Sequence, residues 1–187
     1  MSIALSLLVG VVVVLAITAL TGYFVAQEFA YMSVDRSRIA AQAERGDPKA
    51  KRVQAITQRT SFMLSGAQLG ITVCSVLLGA VAEDAVHHLI AGPLEATGMP
   101  DGLTHVVSLL LALLIVAYFH VVLGEMVPKN LAIAGPDRAA LLLAPSLLRI
   151  TKALRPLIRV LESVSKGIVR KMGIEPQDEV ASTFSTE

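Results

Sequence analysis

A carboxylate, a proline and a lysine stand within five residues in Gly124-Glu125-Met126-Val127-Pro128-Lys129, directly after an apolar run. Residues 103–123 contain no Lys, Arg, Asp or Glu. A run of about twenty such residues is long enough for a helix to cross the ~30 Å hydrocarbon layer. Glu125 therefore falls at the membrane end of a helix, where an unpaired charge is costly. Pro128 has no N–H and its ring crowds the turn before it, so carbonyls from Leu123 to Met126 are left short of helical donors. A carboxylate beside freed carbonyl oxygens is a ligand set for a hard cation. The plainer alternative is a helix stop, with Glu125 and Lys129 at the interface and Pro128 ending the helix.

Other groups are weaker candidates. Gln68 is polar inside an apolar stretch, which suits a bundle interior or an ion path better than a lipid face. Glu28 closes the first apolar run as an interfacial helix-end carboxylate, a cap, a partner to a basic group, or, with Gln68, a candidate metal-site residue that polarises an ion cavity. His120 reads as a packed or interfacial histidine rather than a catalytic base, and His87-His88 as a solvated pair rather than a metal site. No Ser–His–Asp arrangement, phosphate-binding glycine loop or Cys/His cluster is recognisable, so an enzyme is not expected. The basic residues lack an aromatic platform, and nucleic acid is not indicated.

The elements that must position these groups are helices. The chain of 187 residues is 54% hydrophobic with a mean hydropathy of +0.67, a membrane composition rather than a soluble one. Three spans are expected at about 3–30, 61–81 and 103–123, since an open-ended segment in lipid must satisfy its backbone internally. Gly66 and Gly70 in the second span make a GxxxG spacing that lets helices approach closely. Between the first two spans, Gly46-Asp47-Pro48 separates two short amphipathic helices, with Pro48 in the first turn of the second. Residues 82–102 carry turn chemistry at Gly92-Pro93 and Gly98 to Gly102. The apolar stretch at about 137–148 is too short to cross and is read as a re-entrant element. Residues 149–172 form a basic amphipathic juxtamembrane helix, kinked by Pro156, suited to an anionic lipid surface. The fold class is thus all-α, with residues 1–172 as one transmembrane domain and 173–187 as a linker.

The sixteen Lys and Arg residues all lie in 36–59 or 129–171. Three crossings put both blocks on one side, which the positive-inside rule makes cytoplasmic. The N-terminus and 82–102 then face outside. Trp is absent, leaving interfacial anchoring to Tyr23, Tyr31, Tyr118 and basic side chains. Cys74 is the single cysteine, so one chain forms no disulfide. No secretory signal peptide is evident.

Phe24-Val25-Ala26-Gln27-Glu28-Phe29-Ala30, the stretch from Gly66 to Ile71, and Gly124-Glu125-Met126-Val127-Pro128-Lys129 together resemble the transmembrane domain of the CorB/CorC (HlyC/CorC) and cyclin-M magnesium-transporter family. The resemblance covers nearly the whole chain. It implies a homodimer in the plasma membrane, a juxtamembrane helical belt and a cytoplasm-facing cavity for dehydrated Mg²⁺, with Na⁺ as coupling ion. It also implies cytoplasmic nucleotide-sensing CBS domains beyond Gly173 to Glu179, so the chain reads as a fragment. The implied ligands are a Ser in span one, Asn in span two, the motif Glu and backbone carbonyls. Here Glu125 and the Gly124 carbonyl are kept, as are Pro128 and Lys129, but Val25 takes the Ser position and Ala67 and Ile71 the Asn positions. Gln68 and Thr72 lie one residue away, a rotation of ~100° around a helix. Two functions follow as expectations: divalent-cation transport, or a non-transporting anchor and dimerisation module for the CBS domains.

Overall fold

The computed structural model describes residues 3–96, 98 and 100–174, and the side chains of all of these except 3, 4, 6, 82–89 and 91. Helices α1 (Ile3–Ser33), α4 (Thr60–Glu95) and α5 (Asp101–Phe119) carry the three spans. The segments long and apolar enough to cross a membrane are Leu7–Ser33, Thr60–Val81 and Asp101–Ala134. The last is longer than expected. It continues from α5 through a π-helical segment, His120–Met126, into α6 (Val127–Ala134). The short helices are α2 (Arg36–Glu44) and α3 (Pro48–Thr57), followed after α6 by α7 (Pro136–Ala153) and α8 (Arg155–Lys171). Among the described residues all regular structure is helical, the class expected.

The chain divides into two compact units. One comprises Met1–Val25 and Gly70–Asn130, the other Ala26–Leu69 and Leu131–Glu187. The first has a small core, Leu78 and Val116 with Val14 and Ile17 packed on it. Its large apolar side chains mostly face outward, among them Leu8, Val12, Leu15, Leu110, Leu114 and Tyr118. Such a surface is stable where the solvent is lipid, because apolar contact with hydrocarbon carries no hydration cost. The second unit is built like a soluble domain. Val34, Ile39, Val53, Ile56, Met63 and Leu147 are buried around close-packing alanines at 43, 50, 140 and 144. Tyr31 spans this core and donates its hydroxyl proton to the Ala140 carbonyl at 3.1 Å.

The two amphipathic helices expected after the first span are present, and their caps explain the break. Asp35 accepts from the Ser37 and Arg38 amides at 3.0 and 3.1 Å to start α2. The Ser37 hydroxyl, also bonded to Asp35, together with those amides, holds this carboxyl below its ordinary value. Asp47 accepts from the Lys49 amide at 2.8 Å, with Pro48 at the first position of α3. Asp47→Ala is expected to lower the thermal stability of the purified chain by about 1 kcal/mol, since the orphan amide loses its acceptor. Asp47→Asn, which keeps an acceptor, should recover most of it.

Three expectations about where helices stop need correction. The turn expected at Gly92-Pro93 is absent: α4 runs through both residues to Glu95, with Pro93 inside the helix. A proline in a last turn removes a bond only from the preceding turn, which lies at the open end of the helix. The stretch 137–148 is not a separate short element but part of the continuous helix α7, with Pro145 inside it. Its buried Ala140, Ala144 and Leu147 share a core with Ala50, Val53 and Ile56 of α3, on which α7 packs. Residues 149–172 are not one kinked helix. The chain breaks at Leu154 and restarts as α8 with Pro156 in its first turn. The solvated reading of His87 and His88 and most of the 173–187 linker lie outside the described residues.

Candidate metal centre

Pro128 does not stop the third helix; it sits in the first turn of α6. The disturbance appears one turn earlier, as the π-helical winding of His120–Met126. The Val127 amide donates to the Val122 carbonyl, five residues back instead of four. The Leu123 carbonyl is thereby deprived of both helical donors. The amide four residues on is engaged by Val122, and the residue five on is Pro128, which has none. Single π-turns of this kind recur at functional sites because they present backbone oxygens that an α-helix consumes.

Close packing within the first unit fixes the turn. A Cβ placed on Gly22 would meet the Pro128 ring at 2.8 Å and the Leu123 and Gly124 carbonyl oxygens at 3.6 Å. Those two oxygens therefore face the backbone of α1. Gly124 is itself held close, since a Cβ there would meet Thr18 Cγ2, the Thr18 carbonyl and His120 Nδ1 at 3.3 Å each. Glu125 has a side chain 46% exposed, and its Oε1 lies 3.9 Å from His120 Nε2. His120 is buried, and neither ring nitrogen has a hydrogen-bond partner. The turn thus offers one carboxylate, a carbonyl without a helical donor, a second carbonyl and an unpartnered imidazole. Among the described residues no group of three His, Cys, Asp or Glu could hold a metal ion, so any ion here relies on backbone oxygen and water.

In the second unit, Gln68 Nε2 donates to Glu28 Oε1 at 3.2 Å. Gln68 is exposed and Glu28 half-buried, and Glu28 lines a small cleft with Tyr31, Thr57, Thr60 and Met63. The two candidates are joined to each other by this bond. Gln27, next to Glu28, is fully buried, and neither its amide nitrogen nor its oxygen has a partner. Lys129 is exposed on α6.

The GxxxG glycines are used inside the chain. Gly70 lies under the Phe24 ring, three of whose carbons would be 2.6 Å from an added Cβ. Gly66 lies against Thr151 Cγ2 and Ile158 Cδ1, at 2.9 and 3.2 Å. At the positions where the family resemblance puts side-chain ligands, Val25 and Ala67 are buried and Ile71 is half-buried. Sequence reading missed Thr18 and Gly22, which seat the π-turn, and the proximity of His120 to Glu125. The only cue was their small or polar character within apolar runs.

The family model described as the cyclin M transmembrane N-terminal domain matches residues 11–187. An uncharacterized protein of Mycobacterium tuberculosis (strain CDC 1551 / Oshkosh), MT1889, is 41% identical over 182 residues, covering 97% of this chain and 52% of that protein. Two proteins of Bacillus subtilis (strain 168), UPF0053 protein YhdT and UPF0053 protein YhdP, are 34% and 32% identical over 97% and 96% of this chain, and 38% and 40% of their own lengths. The chain therefore spans about half or less of the length of the curated relatives it matches. By the extent of that match and those likenesses, the chain belongs to the family of cyclin M transmembrane N-terminal domains.

Proposed function

We propose that the chain is the membrane domain of a divalent-cation transporter, with Mg²⁺ as cargo and the π-turn at Gly124-Glu125 as its binding point. The observation that carries this reading is the Leu123 carbonyl, left without a helical donor in the same turn as the Glu125 carboxylate. Hard cations seek that combination, and Mg²⁺ keeps several waters when few protein oxygens are available. With one carboxylate and few protein oxygens at the turn, the ion is held weakly and largely hydrated. The distribution of Lys and Arg supports an external N-terminus, a cytoplasmic C-terminus and a place in the plasma membrane. The apolar residues Leu157, Leu161, Val164 and Ile168 on basic α8 suit an anionic lipid surface. A homodimer, Na⁺ coupling and cytoplasmic CBS partners are carried by the family resemblance.

A second reading is a non-transporting anchor and dimerisation module for the CBS domains, and buried apolar Val25 and Ala67 favour it. Calorimetric titration of the purified chain with Mg²⁺ separates the two. Saturable binding in the millimolar range or tighter, with cation flux in reconstituted vesicles, is the expected result. A folded chain that neither binds nor conducts any divalent cation would leave the anchor as the function.

A further inference from the structure

We infer that α8 is a hinged sensor of membrane charge. Its apolar stripe seats in a phospholipid leaflet only where that leaflet is anionic, and its seating fixes the direction in which the backbone leaves at Ile174. The inference is independent of the ion site at the π-turn.

The surface that α8 leaves uncovered carries it. Leu157, Val160, Leu161, Val164, Ile168 and Met172 are each 46–70% exposed. At ~100° per residue these six fall within about 120° of the helix circumference. Arg155, Arg159 and Arg170, all exposed, project from the opposite side, and Lys171 borders the stripe. Ile158 is the buried residue of α8, roughly a quarter turn from the stripe's centre. Its Cδ1 would lie 3.2 Å from a Cβ on Gly66. Gly66 stands six residues, ~9 Å, inside the second span Thr60–Val81. One end of α8 is thus pinned to the membrane-crossing part of α4. A helix pinned at that depth, apolar on one uncovered side and basic on the other, lies along a bilayer interface.

Charge makes the seating conditional. A short apolar face partitions weakly and reversibly, and stable anchoring needs a second attraction. α8 supplies one, with five Lys or Arg residues against Glu162 alone, and an uncharged leaflet does not answer it. Little else holds the helix: it breaks from α7 at Leu154 and buries a single side chain. A second copy of α8 on the stripe would set two strongly basic helices side by side, which like-charge repulsion opposes. At the far end, Gly173 has φ 80°, and the Ile174 amide donates to the Val169 carbonyl at 3.3 Å. This tight stop makes the outgoing backbone follow α8 wherever the helix lies.

The test places the full chain in nanodiscs of phosphatidylcholine, alone or with roughly 30% phosphatidylglycerol, and reads a polarity-sensitive fluorophore on Val164→Cys. Cys74 is buried, so the introduced thiol is the accessible one. In the anionic discs the emission should shift to the blue, with the ratio of seated to unseated α8 at least about tenfold higher than in phosphatidylcholine. The same fluorophore on Ser163→Cys, on the polar side, should not respond. Replacing Arg159, Arg170 and Lys171 together by Gln should remove about tenfold of the ratio, as should raising salt to about 1 M, where the screening length falls to ~3 Å. These three side chains are exposed, and the salt titration uses the unaltered charges, so the result does not hang on one variant. Equal seating in both lipids, or none in either, overturns the inference. A blue shift in phosphatidylcholine that grows with the number of chains per disc assigns the stripe to a second copy and also overturns it.

Discussion

Glu125→Gln is expected to weaken divalent-cation binding by roughly a hundredfold, about 2.7 kcal/mol, while the chain stays folded. The amide keeps the size of the side chain and one oxygen but removes the only carboxylate of the π-turn. For a dication held by carbonyls and water, the protein's one formal charge carries most of the attraction, and affinity for hard ions follows ligand charge. Glu125 is also half exposed, so its replacement opens no cavity and strands no buried charge. Little loss of stability should therefore accompany the loss of binding. Glu28→Gln is the informative comparison. It too removes a negative charge, yet it keeps an oxygen to accept from Gln68, whose bond of 3.2 Å belongs to the second unit. Its effect should be at most about threefold if the π-turn is the binding point. Calorimetry on the two variants distinguishes the carboxylates directly. Equal losses in both would overturn the assignment of the ion to the π-turn.

The spans were legible because length and the absence of charge leave few alternatives in a run such as 103–123. The break at Gly46-Asp47-Pro48 was legible for a similar reason: its residues act on the backbone locally, and a cap needs no distant partner. What failed was the reading of proline as the end of a helix. Pro128 gives the same signal whether a helix ends or rewinds, since it removes one donor either way. The outcome here goes with packing against Gly22 and Thr18, about a hundred residues earlier. Pro145 misled because α7 buries one side in the core it shares with α3, whereas Pro93 misled because it sits in the last turn of α4, where the missing bond falls at the open end. His120 and Glu125 were not paired from sequence, since residues five apart are not neighbours on an α-helix. Their proximity became readable only with the π-turn.

The glycine pair carries the second large effect. Gly70→Ala is expected to destabilise the chain by about 2–3 kcal/mol, more than a glycine-to-alanine change in a helix would suggest, because alanine is otherwise the better helix former. The new methyl would stand 2.6 Å from three carbons of the Phe24 ring, a rigid plate that has no flexible end to withdraw. Gly66→Ala meets Ile158 Cδ1, the end of a flexible chain, and the Thr151 methyl, whose rotamer is held by the hydroxyl's 2.7 Å bond to the Leu147 carbonyl, so its cost should be about 1–2 kcal/mol. Cys74, the single cysteine and 2% exposed, gives a direct readout, since its thiol reacts with a maleimide dye only as the helices part. Phe24→Leu in the Gly70→Ala background should recover part of the loss, although Phe24→Leu alone costs stability by emptying a packed site. That opposite sign in the single and double variants is the mark of a direct clash. The contact also bears on assembly: with Gly70 filled by Phe24 and Gly66 by Thr151 and Ile158, both glycines are already occupied within one chain. A dimer interface, if it uses the second span, has to be built from other residues, such as the outward-facing Val73, Val76 and Leu77. Dimerisation measured in detergent should then respond to substitutions at those three positions, whereas Gly70→Ala should report first as a loss of fold.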